Sequence, residues 1–239
     1  METLRAALSK PEFYLPPVFD FVAVFFFALT GALAAIRRGY DIIGLLAMAF
    51  VAGLGGALIR DGLFLQDGPP ALTRSWGYIV AVLAGCAVGW MVGGVLEKYQ
   101  KVIAVLDAFG LGAYSVVGVQ KSLAAGLSAP AAILVGVVNA CGGSLLRDII
   151  TREEPLMMKP GQFYALASIL GAGLFVLAQN WLPAPVAALL AIAATFLMRM
   201  LAITFNWRTV AVQHLLFEPE VPVKKDGQVK PGPPKATDG

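Results

Sequence analysis

Gly55-Gly56-Ala57-Leu58-Ile59-Arg60-Asp61 and Gly142-Gly143-Ser144-Leu145-Leu146-Arg147-Asp148 are two copies of one phrase, 87 residues apart. Each copy sets a glycine pair inside a long apolar segment and an Arg-Asp pair at its far end. The offset holds elsewhere: Asp20 maps onto Asp107, Gly31 onto Gly118 and Gly39 onto Gly126. One gapless offset that joins several unrelated landmarks identifies an internal duplication.

The residues around the two phrases are 58% hydrophobic and 14% charged, with a mean hydropathy of +0.76. Soluble domains carry about 25% charged residues. Here the charges fall between apolar runs of about 18–22 residues, the length a helix needs to cross the hydrocarbon core. The chain is therefore an all-α, polytopic membrane protein. Cys86 and Cys141 both fall inside apolar runs, which makes them small core residues rather than a disulfide framework. His214 is the single histidine, so no His/Cys cluster offers a metal site.

Residues 1–16, polar and proline-bearing, read as an external N-terminal segment. Residues 17–101 form the first repeat, with spans at about 18–36, 42–59 and 76–96. Residues 102–183 form the second, with spans at about 102–123, 131–146 and 163–182. A seventh span at 184–205 stands outside the repeat, and 206–239 reads as a disordered cytoplasmic tail with little to bury. The small residues that end the first span imitate a signal-peptide cleavage site. Asp20 and Gly31 have repeat partners, however, so that span stays in the protein. Trp76 and Tyr78 read as anchors at the membrane interface.

Three spans per half is an odd number, so the second half enters the membrane from the opposite side, as an inverted-topology repeat. Arg5, Lys10, Arg60, Arg74 and Lys121 are the 5 basic residues on the side of the N-terminus. Twelve lie on the other side and Arg199 lies inside the last span, which together make the 18 of the chain. The positive-inside rule then places the N-terminus outside and the C-terminus in the cytoplasm of a cell-membrane protein.

Irregular backbone survives at membrane depth only inside protein or beside a water-filled cavity. Gly53, Gly55 and Gly56 in the second span, and Gly142 and Gly143 in the fifth, lower helix propensity near mid-membrane. Helices broken there would turn freed carbonyls toward a passing cation, and inverted repeats would bring both breaks to one axis. The alternative is that these glycines are notches for close helix packing. Arg60 and Asp61 would set the field at one pore mouth, and Arg147 and Asp148 at the other; structural ion pairing is the competing reading. Asp20 and Asp107 start the first and fourth spans, where a carboxylate favours the helix N-terminus, and read as caps. Lys121, opposite Ala34, either snorkels or projects into a cavity as a gating cation. Asn139, opposite Ala52, and Ser144 beside the second glycine pair are candidate pore-lining residues. Arg199 reads as a paired or snorkelling residue.

No strand precedes Gly53-Leu54-Gly55-Gly56 and no Walker lysine follows it, so nucleotide binding is not indicated. Ser144 has no His/Asp partners for nucleophilic catalysis. The sequence points to no enzyme, no cofactor and no nucleic-acid partner.

Asp20 through Gly31, the two glycine phrases, Asp107-Ala108-Phe109-Gly110-Leu111 and Gly118-Val119-Gln120-Lys121 together resemble prokaryotic members of the TRIC family, the trimeric intracellular cation channels. The resemblance covers about residues 18–205. It implies seven transmembrane helices, as two inverted three-helix bundles plus a seventh helix, with helices 2 and 5 kinked at the glycines. It also implies a homotrimer in membrane lipid, one pore per protomer, and potassium (K+) as the main permeant ion. The Lys-Glu-Val motif with which animal members bind a phosphoinositide has no counterpart here. Bacterial members of the same sequence family are also labelled glycine transporters. The expected function is a monovalent cation channel, with a small-solute (glycine) secondary transporter as the alternative.

Overall fold

The computed structural model describes residues 16–66, 68–96, 100–159 and 163–207. All of them lie within a compact unit spanning Met1–Thr209. The expected N-terminal segment up to residue 15 and nearly all of the tail fall outside the described residues.

Seven long helices carry the fold, and no strand occurs among the described residues. They are α1 (Val18–Arg37), α2 (Ile42–Ile59), α3 (Trp76–Leu96), α4 (Gln100–Ala124), α5 (Ala129–Ile150), α6 (Tyr164–Ala178) and α7 (Ala184–Thr204). A π-helical segment, Arg60–Leu65, continues α2, and a single helical turn, Ala71–Arg74, precedes α3. Six of the seven are long and apolar enough to cross a membrane. The sixth, at 15 residues, is shorter than the span expected from the sequence, because the chain turns at Gln179–Leu182 ahead of Pro183. The fifth is longer than expected, so that Arg147 and Asp148 fall within its last turn rather than just beyond it.

The duplication is visible in the backbone. α1 ends with Gly39 at φ +68°, where the Tyr40 N–H donates to the Ala35 carbonyl. α4 ends with Gly126 at φ +88°, where the Leu127 N–H donates to the Ser122 carbonyl. Both are Schellman caps, in which only glycine takes the left-handed position without strain, and they stand at the same 87-residue offset. Asp41 then caps α2 by accepting from the Gly44 N–H at 2.8 Å. At the matching place in the second half, Pro130 lies in the first turn of α5, where its missing N–H costs nothing.

Packing repeats as well. α1 packs against α2 and α3 as α4 packs against α5 and α6. The halves meet through two self-pairs, α1 with α4 and α2 with α5, while α7 lies on α4 and α6. The buried faces of α1, α2, α5 and α7 are rich in alanine and glycine. In lipid, helices gain little from burying apolar surface, so small residues that let backbones approach are the main source of contact energy.

Candidate functional site

The glycine phrases meet each other. A Cβ on Gly56 would overlap the Asn139 carbonyl, and one on Gly143 would overlap the Ala52 carbonyl. A Cβ on Gly55 would collide with Leu146, and one on Gly142 would press on Ile59 and the Gly56 backbone. Each contact is the other's counterpart at the repeat offset, so α2 and α5 cross on a local pseudo-two-fold axis. Gly53 sits one step aside, against Ala28 and the Val24 carbonyl of α1. All five glycines are buried. Helical backbone continues through both phrases, which corrects the expectation of broken helices with freed carbonyls. The glycines here permit backbone contact between helices, and irregular backbone is displaced to the π-helical Arg60–Leu65.

Outward from the crossing, each half holds a charged cluster. In the first, Arg60 is 0% exposed; its Nε donates to Asp61 at 2.7 Å and its Nη1 to Asn139 Oδ1 at 3.3 Å. Lys121 Nζ donates to Asp20 Oδ2 at 2.5 Å and to the Tyr78 hydroxyl at 3.2 Å. Tyr78 in turn donates to the same Asp20 oxygen at 2.5 Å. In the second, Arg147 donates to Asp148 at 2.9 Å and to Asp107 at 3.2 Å. Asp148 Oδ2 accepts from the Leu156 N–H at 3.0 Å, and Arg199 lies 4.8 Å from the centre of the Tyr164 ring. Each cluster contains two cations and two carboxylates. A lone charge at the centre of a helix in a bilayer costs about 2.5–3.5 kcal/mol, so this balance is what allows burial.

Several sequence readings change. Asp20 and Asp107 are not helix caps: α1 has no side-chain cap bond, and both carboxylates are buried partners of cations on other elements. Tyr78 is 7% exposed and bonded to Asp20, so it is no interface anchor, whereas Trp76 is 80% exposed. Lys121 neither snorkels free nor projects alone; it is an ion-pair partner that ties α4 to α1. Asn139 lies in the crossing, between Arg60 and the Tyr114 carbonyl, to which its Nδ2 donates at 2.7 Å. Ser144 Oγ donates along its own helix to the Cys141 carbonyl at 2.9 Å. Arg60 and Arg147 are too deeply buried to act as open mouth charges, and both are held in pairs. Cys86 and Cys141 are buried and unbridged, as expected.

Two functional candidates were missed. Tyr114 is fully buried, stacks on Phe27 with centroids 5.3 Å apart, and donates its hydroxyl to the Gly53 carbonyl. Phe27 is its repeat counterpart, so the stack straddles the pseudo-two-fold axis. Tyr164 was the other. The signal for it was Tyr78, which lies 86 residues earlier, one position short of the common offset.

The polar bonds of the two clusters differ in reach. Arg60 to Asn139, Lys121 to Asp20 and Tyr114 to Gly53 all join one half to the other. Arg147 to Asp107 and Arg147 to Asp148 stay within the second half. Among the described residues, no group of His, Cys, Asp and Glu is arranged to hold a metal ion.

The chain is similar in sequence and fold to known membrane proteins. A family model described as "Glycine transporter" matches residues 17–93 and again 104–180, the second match beginning 87 residues after the first. The chain is 32% identical over 206 residues to a UPF0126 membrane protein of Vibrio cholerae, covering 84% of this chain and 83% of the relative. It is 29% identical over 190 residues to the inner membrane protein YadS of Escherichia coli, covering 78% and 91%. Among solved structures it is similar to the trimeric intracellular cation channel orthologue of Rhodobacter sphaeroides. That likeness has a TM-score of 0.74 and 30% identity, covering 79% of this chain and 97% of that one. A second similar structure, described under conductance through TRIC cation channels, has a TM-score of 0.71 and 28% identity, covering 83% and 97%.

Proposed function

The chain belongs to the glycine transporter family, and from its likeness to cation-channel structures we propose that it is a channel for monovalent cations. Potassium is the main permeant ion, and three copies assemble with one path per protomer. The protein sits in the cell membrane with the N-terminus outside and the C-terminus in the cytoplasm, the orientation the lysine and arginine distribution favours.

The observation that carries the reading is the glycine crossing of α2 and α5, with a neutralised charge cluster in each half. Where the helices touch through glycine there is no side chain to remove; parting them opens backbone and polar side chains to water. In the state described here the crossing is closed by direct contact. Opening disrupts the bonds that span the halves, Arg60 to Asn139, Lys121 to Asp20 and Tyr114 to Gly53, and the ion pair among them is that of Lys121. Lys121 is thus the proposed gating residue. Asn139 and the glycines Gly53, Gly55, Gly56, Gly142 and Gly143 become the lining of the opened path.

A second reading is carriage of a small zwitterion such as glycine, as the family description says. Paired Arg and Asp side chains in each half could receive a carboxylate and an ammonium. Purified protein in planar bilayers under a potassium gradient separates the two. Unitary currents that reverse near the potassium potential and ignore added glycine are the expected result. Silent bilayers combined with saturable glycine uptake into liposomes would instead establish a carrier.

A further inference from the structure

A groove of about 370 Å3 lies where α1 ends, α2 begins and α3 approaches its C-terminus, lined by Ile36, Tyr40, Asp41, Ile42, Leu45, Trp90 and Gly94. Its volume falls in the range of small-molecule sites, about 300–1,000 Å3. The lining is graded. Ile36, Leu45 and the 68%-exposed Trp90 make an apolar body. Tyr40 and Asp41 line its polar end; Arg37, the last residue of α1, and Arg38 flank them in the chain, with Arg38 paired to Glu153 at 3.1 Å. Asp41 spends one oxygen on capping α2 yet remains exposed, and a carboxylate has about four acceptor sites.

The lining residues differ in the other half. At the repeat offset, Gly94 corresponds to Trp181, Trp90 to Leu177 and Asp41 to Ser128. A Cβ at Gly94 would meet nothing within 4 Å, so the floor is open because glycine stands there. One position earlier, a Cβ at Gly93 would strike Ile36, which is how α3 is held against α1 beside the opening. The groove's glycine floor, tryptophan wall and carboxylate are therefore residues of the first half alone at these matched positions.

We propose that this groove is a binding site for one phospholipid with a zwitterionic, ammonium-bearing headgroup of the phosphatidylethanolamine type. The acyl chain lies along Ile36, Leu45 and Trp90, over Gly94. The phosphate faces the arginine-bearing turn, and the ammonium donates to Asp41. The lining carboxylate of Asp41, with the two arginines beside it in the chain, favours a zwitterion over a purely anionic lipid. The need for a donor favours ethanolamine over choline, whose methylated nitrogen has no hydrogen to give. The site does not depend on what the protein conducts.

Native mass spectrometry of the purified full-length protein, loaded with phosphatidylethanolamine, phosphatidylcholine or phosphatidylglycerol, tests it. The expected result is a retained phosphatidylethanolamine preferred over phosphatidylcholine by about tenfold, the worth of one hydrogen bond to a charged group. Asp41→Asn, which still caps α2, should erase that preference. Gly94→Trp, which copies the residue of the other half into open space, should abolish retention. Gly173→Trp, also in open space, should not. Equal retention of all three lipids by wild type and Gly94→Trp would mean annular contact only and overturn the site. Preference for phosphatidylglycerol would overturn the headgroup assignment. Efficient Trp90→Cys cross-linking between copies, with no lipid retained, would give the groove to a protomer interface and overturn the proposal as well.

Discussion

At the scale of single residues, the decisive groups are the buried polar ones that bind across the repeat. Arg60 is the extreme case, a cation with no exposure, held by Asp61 and Asn139. Replacing it with alanine removes the 2.7 Å bond to the Asp61 side chain and the donor to Asn139. Losing one partner of a buried pair costs about 3–5 kcal/mol. Arg60→Ala should therefore strongly lower the melting temperature of the purified protein. Asn139→Ala removes two buried hydrogen bonds and leaves the Tyr114 carbonyl without that donor; its cost should be about 1–3 kcal/mol, read in the same melt. Arg38→Ala breaks only an exposed pair with Glu153 and should shift the melt by at most about 1 kcal/mol. Equal effects of Arg60→Ala and Arg38→Ala would mean that Arg60 is hydrated rather than buried.

At the scale of helices, the α2–α5 crossing depends on the absence of side chains. Gly56→Ala must push α5 away from α2, since its Cβ would occupy the place of the Asn139 carbonyl. Overpacking of this kind costs about 1–3 kcal/mol, occasionally more. Gly143→Ala should cost as much, because the Ala52 carbonyl meets it in the same way. Gly62→Ala, in the π-helical segment with nothing within 4 Å, is the control and should be near neutral. If the crossing is the closed gate, Gly56→Ala and Gly143→Ala should also change potassium flux in liposomes while Gly62→Ala does not. Normal flux and stability in all three would leave the crossing with no special role. The glycines also show how far sequence reading reached at this scale. Two copies of Gly-Gly at one offset identified the crossing helices and their pairing. Whether the glycines break a helix or admit a neighbour was not legible, because low helix propensity and small volume are properties of the same residue. Only the facing Ala52 and Asn139 carbonyls distinguish them.

At the scale of the molecule, inverted repeats place the Gly39 and Gly126 turns on opposite sides of the membrane. The native cysteines are buried, so single introduced cysteines can report sidedness. Tyr40→Cys and Ala125→Cys lie beside these turns at exposed positions. A membrane-impermeant maleimide added to intact cells should label Ala125→Cys, and Tyr40→Cys only after the membrane is opened. The reverse pattern would invert the assigned orientation, and labelling of both from one side would refute the inverted repeat.

The sequence by itself determined the membrane class, the duplication, the helix count and the identity of the paired elements. Those properties are periodic or additive along the chain: apolar length, a fixed offset, the number of spans between copies. It also located most of the polar residues that matter, from Arg60 and Arg147 to Lys121 and Asn139. Only the tertiary structure decided what each one touches. Asp20 and Asp107 look like caps from their place at the start of apolar runs. Their partners, Lys121 and Arg147, lie 101 and 40 residues away, where local pattern carries no information. The one-position slip between Tyr78 and Tyr164 has the same character. One residue turns a helical side chain by about 100°, since a turn takes 3.6 residues. The halves also bond differently: Lys121 and Asn139 reach across to Asp20 and Arg60, and their repeat counterparts Ala34 and Ala52 have no polar group to return those bonds. Which partner each polar side chain reaches depends on proximity between residues far apart in the chain, and only packing sets that proximity.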